Sequence, residues 1–374
     1  MRIGLIVAGG VDRSARERVL PELLDFIARI ARRHELHVFA LQYYREACEY
    51  TLLGATVHDL GRVDRPPGLR RWRMRQRLRR ALARLGRFDV LHAYWGMPAG
   101  AVTIDVAPTA RAPVIVTLTT GELVGIDDIR YGLQRRLRDR RAVARIFARA
   151  ALVTVPTDYM QRLAASTVGA PASVVPMGLD SARFTSTDAD GPPWRLIRVA
   201  TINAVKDYPL LLHAFAGVLR LEPDTLLDIV GEDVLGGRMQ TLARELGVAE
   251  RVTFHGYQPL DRVPALYARA HLHVVTSRHE ASSVATLEAA LSGVATVGTP
   301  VGHLADWAAL EPPAALTTGG DPAAIATAIT ALLRDPARRR RLAASARAWA
   351  LAHDADWTAS TFEEIYARVG AAAK

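Results

Sequence analysis

Glu280 and Glu288 lie eight residues apart in the segment Thr276-Ser-Arg-His-Glu-Ala-Ser-Ser-Val-Ala-Thr-Leu-Glu-Ala-Ala-Leu-Ser-Gly-Val-Ala-Thr-Val-Gly298. Its pattern predicts a strand, a short loop carrying Glu280, a helix carrying Glu288, a glycine stop and a second strand. The helix is apolar almost all round (Val284, Leu287, Ala289, Ala290, Leu291), so Glu288 is expected to be buried. A buried carboxylate is costly unless hydrogen-bonded; a ligand diol such as a ribose would satisfy it, and so would a buried backbone group. Ala281, Ser282, Ser283 and Val284 open the helix, where free N–H groups and the positive dipole end suit a diphosphate. Glu280 could equally complement that helix end. Lys206, the only lysine apart from Lys374, sits between a predicted strand and Asp207, a helix cap. Its compact ammonium suits a diphosphate whose charge grows as a bond to it breaks; a solvated loop lysine is the bland alternative.

Further polar and glycine residues follow predicted strands, where binding loops belong in a parallel sheet. Gly9 and Gly10 follow Ile3–Val7. His92 ends Phe88–His92, with Trp95 just beyond it. Thr119, Thr120 and Glu122 follow Val114–Leu118. Later in the chain, Thr201 ends Leu196–Thr201, Gly231 follows Leu226–Val230, and Tyr257 follows Arg251–His255.

The elements that must position these residues alternate in type. Strands are predicted at the ranges just given and at Leu36–Leu41, Leu152–Val155, Leu272–Thr276 and Ala295–Val297, with helices at 13–33 and 69–85. After a polar, proline-rich stretch at 185–193, helices fall near 207–221, 235–246, 260–270, 283–291, 322–333 and 336–352. A last helix near 356–369 carries Trp357, Phe362, Ile365, Tyr366 and Val369 on one side. Strands separated by helices imply parallel sheets covered on both faces. The expected architecture is α/β, with two Rossmann-like domains at 1–182 and 183–355 facing across a cleft. Residues 356–374 are expected to cross back to the first domain.

Composition narrows the classes. With 374 residues, half of them hydrophobic and 23% charged, the chain has the balance of a folded two-domain protein. A lone cysteine, Cys48, excludes an internal disulfide framework and points to a reducing, cytoplasmic setting. No apolar run reaches the roughly 18 residues needed to span a bilayer, so any membrane contact is expected to be peripheral. Charge is uneven: residues 1–180 hold 29 Lys/Arg against 17 Asp/Glu, whereas residues 181–374 hold 19 against 21. The basic half either has solvated arginine-rich helices or faces an anionic membrane, lipid or phosphorylated acceptor. It lacks a helix-turn-helix pattern or base-stacking aromatics, so no nucleic-acid partner is expected.

The Glu280-x7-Glu288 pair, followed by Ala289, Gly293 and Gly302, resembles the signature of the retaining glycosyltransferases of family 4, the group 1 enzymes of the GT-B superfamily. That resemblance implies transfer of a sugar from a UDP- or GDP-sugar to an acceptor hydroxyl that is lipid-linked, phosphorylated or part of a glycan. It implies that Glu280 holds donor-sugar hydroxyls and Glu288 the ribose, that Lys206 and the 281–284 backbone hold the diphosphate, and that backbone beside Tyr257 reads the base. Gly231 matches the family's strand-end element, and Gly9 and Gly10 its glycine turn beneath the donor phosphates. His92, Trp95, Thr119, Thr120 and Glu122 match acceptor-side loops. The nucleotide-sugar is a substrate, and with no Asp-x-Asp motif in a donor context neither a metal nor another cofactor is expected. This chain departs from the family at Ala200-Thr201, where Gly-Arg is usual, leaving one phosphate-binding cation where two are expected. Ala281 and Ser283 stand where glycines are usual. The alternatives are a GT-B epimerase or phosphorylase, and a nucleotide-sugar-binding protein without transfer.

Overall fold

The computed structural model describes residues 1–186, 189 and 191–372. Residues 187, 188 and 190 of the expected linker, and 373–374 of the expected last segment, lie outside the described residues. The chain forms two compact units, one of Met1–Asp180 with Ala355–Lys374 and one of Ser181–Asp354.

In the first unit the strands are β1 (Arg2–Val7), β2 (Glu35–Ala40), β3 (Cys48–Leu52), β4 (Ala55–Asp59), β5 (Val90–Tyr94), β6 (Val114–Thr117), β7 (Leu152–Val155) and β8 (Ser173–Val174). They make one sheet in the order β3-β4-β2-β1-β5-β6-β7-β8. Helices α1 (Pro21–Ile30), α2 (Pro67–Leu85), α3 (Ala101–Ala110), α4 (Leu137–Arg149) and α5 (Asp158–Val168) connect them. Strands covered on both faces must be apolar throughout, and Ile3, Leu5, Ile6 and Val7 of β1 are fully buried.

Two expectations need correction. The first sheet is not wholly parallel, because β3 pairs antiparallel with β4 at its edge. The connection is only Leu53-Gly54, both with positive φ, and a Leu-Gly pair lacks the usual hairpin signal. The helix expected at 13–33 begins at Pro21, whose fixed φ suits a first helical position. Residues 11–20 before it form an irregular loop in which Ala15 and Arg18 have positive φ.

The second unit has β9 (Trp194–Val199), β10 (Thr225–Val230), β11 (Val252–Gly256), β12 (Leu272–Val275), β13 (Ala295–Gly298) and β14 (Leu316–Thr317). Every pairing is parallel, in the order β11-β10-β9-β12-β13-β14. Its helices are α6 (Tyr208–Leu221), α7 (Arg238–Glu245), α8 (Val263–Tyr267), α9 (Val284–Leu291), α10 (His303–Trp307), α11 (Pro322–Arg334) and α12 (Pro336–Ala352). Asp321 and Asp335 cap α11 and α12, each accepting from the backbone N–H three residues on.

The last helix, α13 (Ala355–Ala372), belongs to the first unit. Phe362, Ile365 and Tyr366 enter the core beneath β1 and β5, and Phe362 meets Phe26 of α1 edge-on at 5.2 Å. Arg29 and Arg33 pair with Asp356 and Glu363 at 2.9 and 2.8 Å. Among the described residues no helix is long and apolar enough to cross a membrane.

Candidate functional site

The strand order of the second unit reverses direction between β9 and β12. In open parallel sheets that reversal opens a crevice at the carboxyl ends of the two strands. The loop after β9 carries Thr201 and Lys206, and the loop after β12 carries Glu280 through Val284. The two loops are tied together. The Thr276 hydroxyl donates to the carbonyls of Lys206 and Asp207, both at 3.0 Å, and Arg278 N–H donates to Val205 at 2.8 Å. Asn203 caps the tight turn at Lys206, and Asp207 caps α6.

Held in this way, Lys206 Nζ meets both carboxylate oxygens of Glu280, at 2.7 and 2.8 Å. Ser277 Oγ donates to Glu280 Oε1 at 2.7 Å. Beneath them lies Arg198, next to last in β9 and only 1% exposed. Its Nη2 donates to Ser277 Oγ at 2.5 Å and lies 3.5 Å from Glu280 Oε1. Burial alone would push the Glu280 carboxyl up. The charges of Lys206 and Arg198, with hydrogen bonds from Lys206 and Ser277, outweigh it and bring the group down to about 2. Glu280 is therefore an anion held rigidly at neutral pH.

Arg198 is the residue that sequence reasoning missed. The absence of an arginine at Thr201 suggested a single cation, but a second stands three residues earlier, on β9. The available signal was an arginine amid the apolar run Leu196, Ile197 and Val199 of a strand expected to be covered on both faces.

Glu288 is buried on α9 with the Tyr267 hydroxyl 3.5 Å away, and that hydroxyl donates to Ala285 O at 2.8 Å. Ser283 stands at the N-cap of α9 with φ 75°, a left-handed conformation that favours glycine. Its hydroxyl pairs with Thr286 Oγ1 at 2.8 Å, and Ser282 Oγ pairs with His303 Nε2 at 3.1 Å. Ala281 is buried in the same loop. Gly302 must be glycine because its φ is +52° and a Cβ would lie 2.8 Å from Ser282 O. Gly231 follows β10 and Tyr257 follows β11, at the same carboxyl-terminal end of the sheet as Thr201. A Cβ on Gly231 would strike Ala200 O at 2.1 Å. Tyr257 is 46% exposed.

The first-unit candidates divide. His92 is fully buried, with Nδ1 2.7 Å from the Tyr366 hydroxyl and Nε2 2.7 Å from Thr117 Oγ1. Burial lowers its pKa to about 3, so it is a neutral core residue joining β5 to α13 and is not available to a substrate. Glu122 is also buried, and its two oxygens accept from Gly96 N–H (2.9 Å) and Thr120 N–H (2.7 Å), bracing two strand-end loops against each other. Trp95 is held at φ 81° in one of those loops; Thr119 is partly buried and Thr120 exposed in the other. Gly10 has φ +79°, and a Cβ on Gly9 would meet the Tyr43 ring at 2.9 Å. Among the described residues no three or more His, Cys, Asp or Glu gather where they could hold a metal ion.

Residues 182–349 match the family described as glycosyl transferases group 1, and residues 21–179 the glycosyl transferase 4-like domain. A GDP-mannose-dependent alpha-(1-6)-phosphatidylinositol monomannoside mannosyltransferase of Mycolicibacterium smegmatis is 29% identical over 350 residues, covering 87% of this chain and 88% of that one. A D-inositol 3-phosphate glycosyltransferase of Salinispora arenicola is 32% identical over 223 residues, 53% of this chain and half of that one. In fold, the sucrose-phosphate synthase of Thermosynechococcus elongatus superposes with a TM-score of 0.83 over 100% of both chains at 19% identity. Anabaena HepE in complex with UDP-glucose does so with 0.74, over 98% of this chain and 100% of that one, at 17% identity. The two Rossmann-like units match, one each, two glycosyltransferase domain families that together span most of the chain, and the chain is a glycosyltransferase with the GT-B fold.

Proposed function

We propose that this chain transfers a sugar from a GDP- or UDP-sugar to an acceptor hydroxyl, with retention of anomeric configuration and without a metal ion. The observation that carries the reading is the Lys206–Glu280 pair with Arg198 beneath it, at the strand-order reversal of the second unit. Glu280 and Glu288 bind hydroxyls of the donor sugar and the ribose. Lys206 and backbone N–H groups at the start of α9 hold the diphosphate, and residues beside Tyr257 hold the base. The bond from the sugar's anomeric carbon to the diphosphate oxygen breaks as the acceptor oxygen adds on the same face. The acceptor proton passes to the departing phosphate. The chain's own contribution is positioning and stabilising the growing charge of the leaving group.

An anionic acceptor or surface fits the first unit. Helix α2 carries eight arginines and no acidic residue, with Trp72 49% exposed and Leu69 44% exposed. That combination suits peripheral contact with anionic lipid. Two of the relatives act on phosphatidylinositol mannoside and inositol phosphate acceptors by their names, which supports the same class here.

A melting screen with GDP, UDP, ADP and their sugars tests the donor. A nucleotide at about 100 times its Kd should add about 2.7 kcal/mol of stability. Release of free nucleotide only when an acceptor alcohol is present marks transfer. Binding without release would mean a site that only binds.

A further inference from the structure

Arg198 is a charge the proposed chemistry does not yet use. A guanidinium cannot shed its proton, so a fully buried arginine needs an anion close by. Its carboxylate neighbour is Glu280, reached directly at 3.5 Å and through Ser277 in two short hydrogen bonds of 2.5 and 2.7 Å. Nε and Nη1 of Arg198 are buried and meet no hydrogen-bond acceptor. Its neighbours His273 and Tyr208 add no negative charge. His273 is buried and held neutral, its pKa pushed well down by burial and by Arg198 itself, and burial raises the Tyr208 phenol to about 12. The cluster of Arg198, Lys206 and Glu280 therefore carries one more positive than negative charge, with its only carboxylate shared by both cations.

Two of the three N–H donors of Lys206 are spent on Glu280, which leaves one for a donor diphosphate. If it moved wholly to the phosphates with no other cation present, it would leave a buried carboxylate unpaired, which is strongly unfavourable. Arg198 removes that obstacle. Resting on the transferase reading above, we propose that Arg198 is the resident counter-ion of Glu280, and that it frees Lys206 to bind the donor's diphosphate. Arg198 is in this sense a positioning residue: it acts through Glu280 and Lys206 and touches no substrate. A purely structural arginine that merely ties β9 to the loop after β12 would produce the same contacts but not the same coupling.

Calorimetric titration of the full chain with GDP, UDP and ADP separates these roles. Arg198→Gln, which keeps an amide donor but loses the charge, is expected to weaken binding of whichever nucleotide the wild type takes by about tenfold. Arg198→Lys should stay within about threefold of wild type. In a Glu280→Gln background Lys206 is already released, so adding Arg198→Gln should change affinity by less than about twofold. Wild-type affinity in Arg198→Gln overturns the proposal, as does a full tenfold loss that persists in the Glu280→Gln background. Should Arg198→Gln fail to melt cooperatively, Ser277→Ala cuts the same chain at an uncharged link. Its expected loss of about threefold must likewise vanish beside Glu280→Gln, and wild-type affinity in Ser277→Ala overturns the proposal. A wild type that binds none of the three nucleotides overturns the transferase reading itself, and this inference with it.

Discussion

Replacing Lys206 with methionine removes the charge that most lowers the Glu280 carboxyl while keeping the length of the side chain. Coulomb's law at an effective dielectric near 20 gives the bare pair ~6 kcal/mol at a separation of 2.7 Å. Desolvating the ammonium and ordering its side chain take back much of that, so the titration shift sets a better ceiling. Glu280 falls from an ordinary 4.5 to about 2, and at roughly 1.4 kcal/mol per unit the site adds about 3 kcal/mol of stability at neutral pH. Because the folded-state value is the lower one, that stability is fully present above pH 4.5 and is lost as the pH falls through 2. Lys206→Met leaves Arg198 and Ser277 in place, so the expected loss is about 2 kcal/mol at pH 7. The difference between variant and wild type should shrink as the pH falls from 4.5 towards 2, because the variant's less stabilised Glu280 takes up its proton first while the wild-type carboxyl stays ionised down to about 2. Urea unfolding followed by circular dichroism at pH 7, 5 and 3 reads both quantities. A difference that stays constant from pH 7 to 3, or none at all, would refute the idea that Lys206 holds Glu280 ionised.

Other expectations follow from the same geometry. Glu288→Ala should lower turnover at least tenfold while the melting temperature stays within a few degrees, as checked by nucleotide release and thermal melts; wild-type turnover would remove Glu288 from the site. Gly231→Ala forces a Cβ onto Ala200 O at 2.1 Å and holds a non-glycine residue at φ +144°, so a loss of more than about 2 kcal/mol is expected in chemical denaturation. Buried His92 and His303 both titrate near 3 because burial disfavours their charged forms. The unfolded chain takes up these protons at the ordinary 6.5, so stability should fall as pH drops from about 6.5 towards 3. His92→Gln should flatten part of that slope in melts run from pH 7 to 4, and an unchanged slope would show that His92 is not its source.

Local pattern carried much of this protein. The apolar runs of β1, β9 and β12, and the cap Asp207, are legible one element at a time because hydrogen bonding and burial within an element repeat at fixed periods. The Glu280-to-Glu288 spacing on a strand-loop-helix unit is local in the same sense, and it was enough to mark the region and to suggest the family. Elements whose reason lies elsewhere in the chain were harder to see. The β3–β4 hairpin turns on two positive-φ residues that carry no strong turn signal, and α1 starts late because residues 11–20 pack as a loop.

Contacts between distant residues belong to the tertiary structure alone. The sequence singled out Lys206 and Glu280 separately, 74 positions apart; only the parallel pairing of β9 with β12 sets their loops side by side and makes them an ion pair. The same pairing brings Arg198 under Glu280, where linear reading saw only a missing arginine at Thr201. It is also tertiary packing that takes His92, a plausible strand-end ligand by position, and seals it against Tyr366 from the far end of the chain. A side chain's type and its place on an element are written in neighbouring residues, but its charge partner and its access to water depend on which strands lie next to each other.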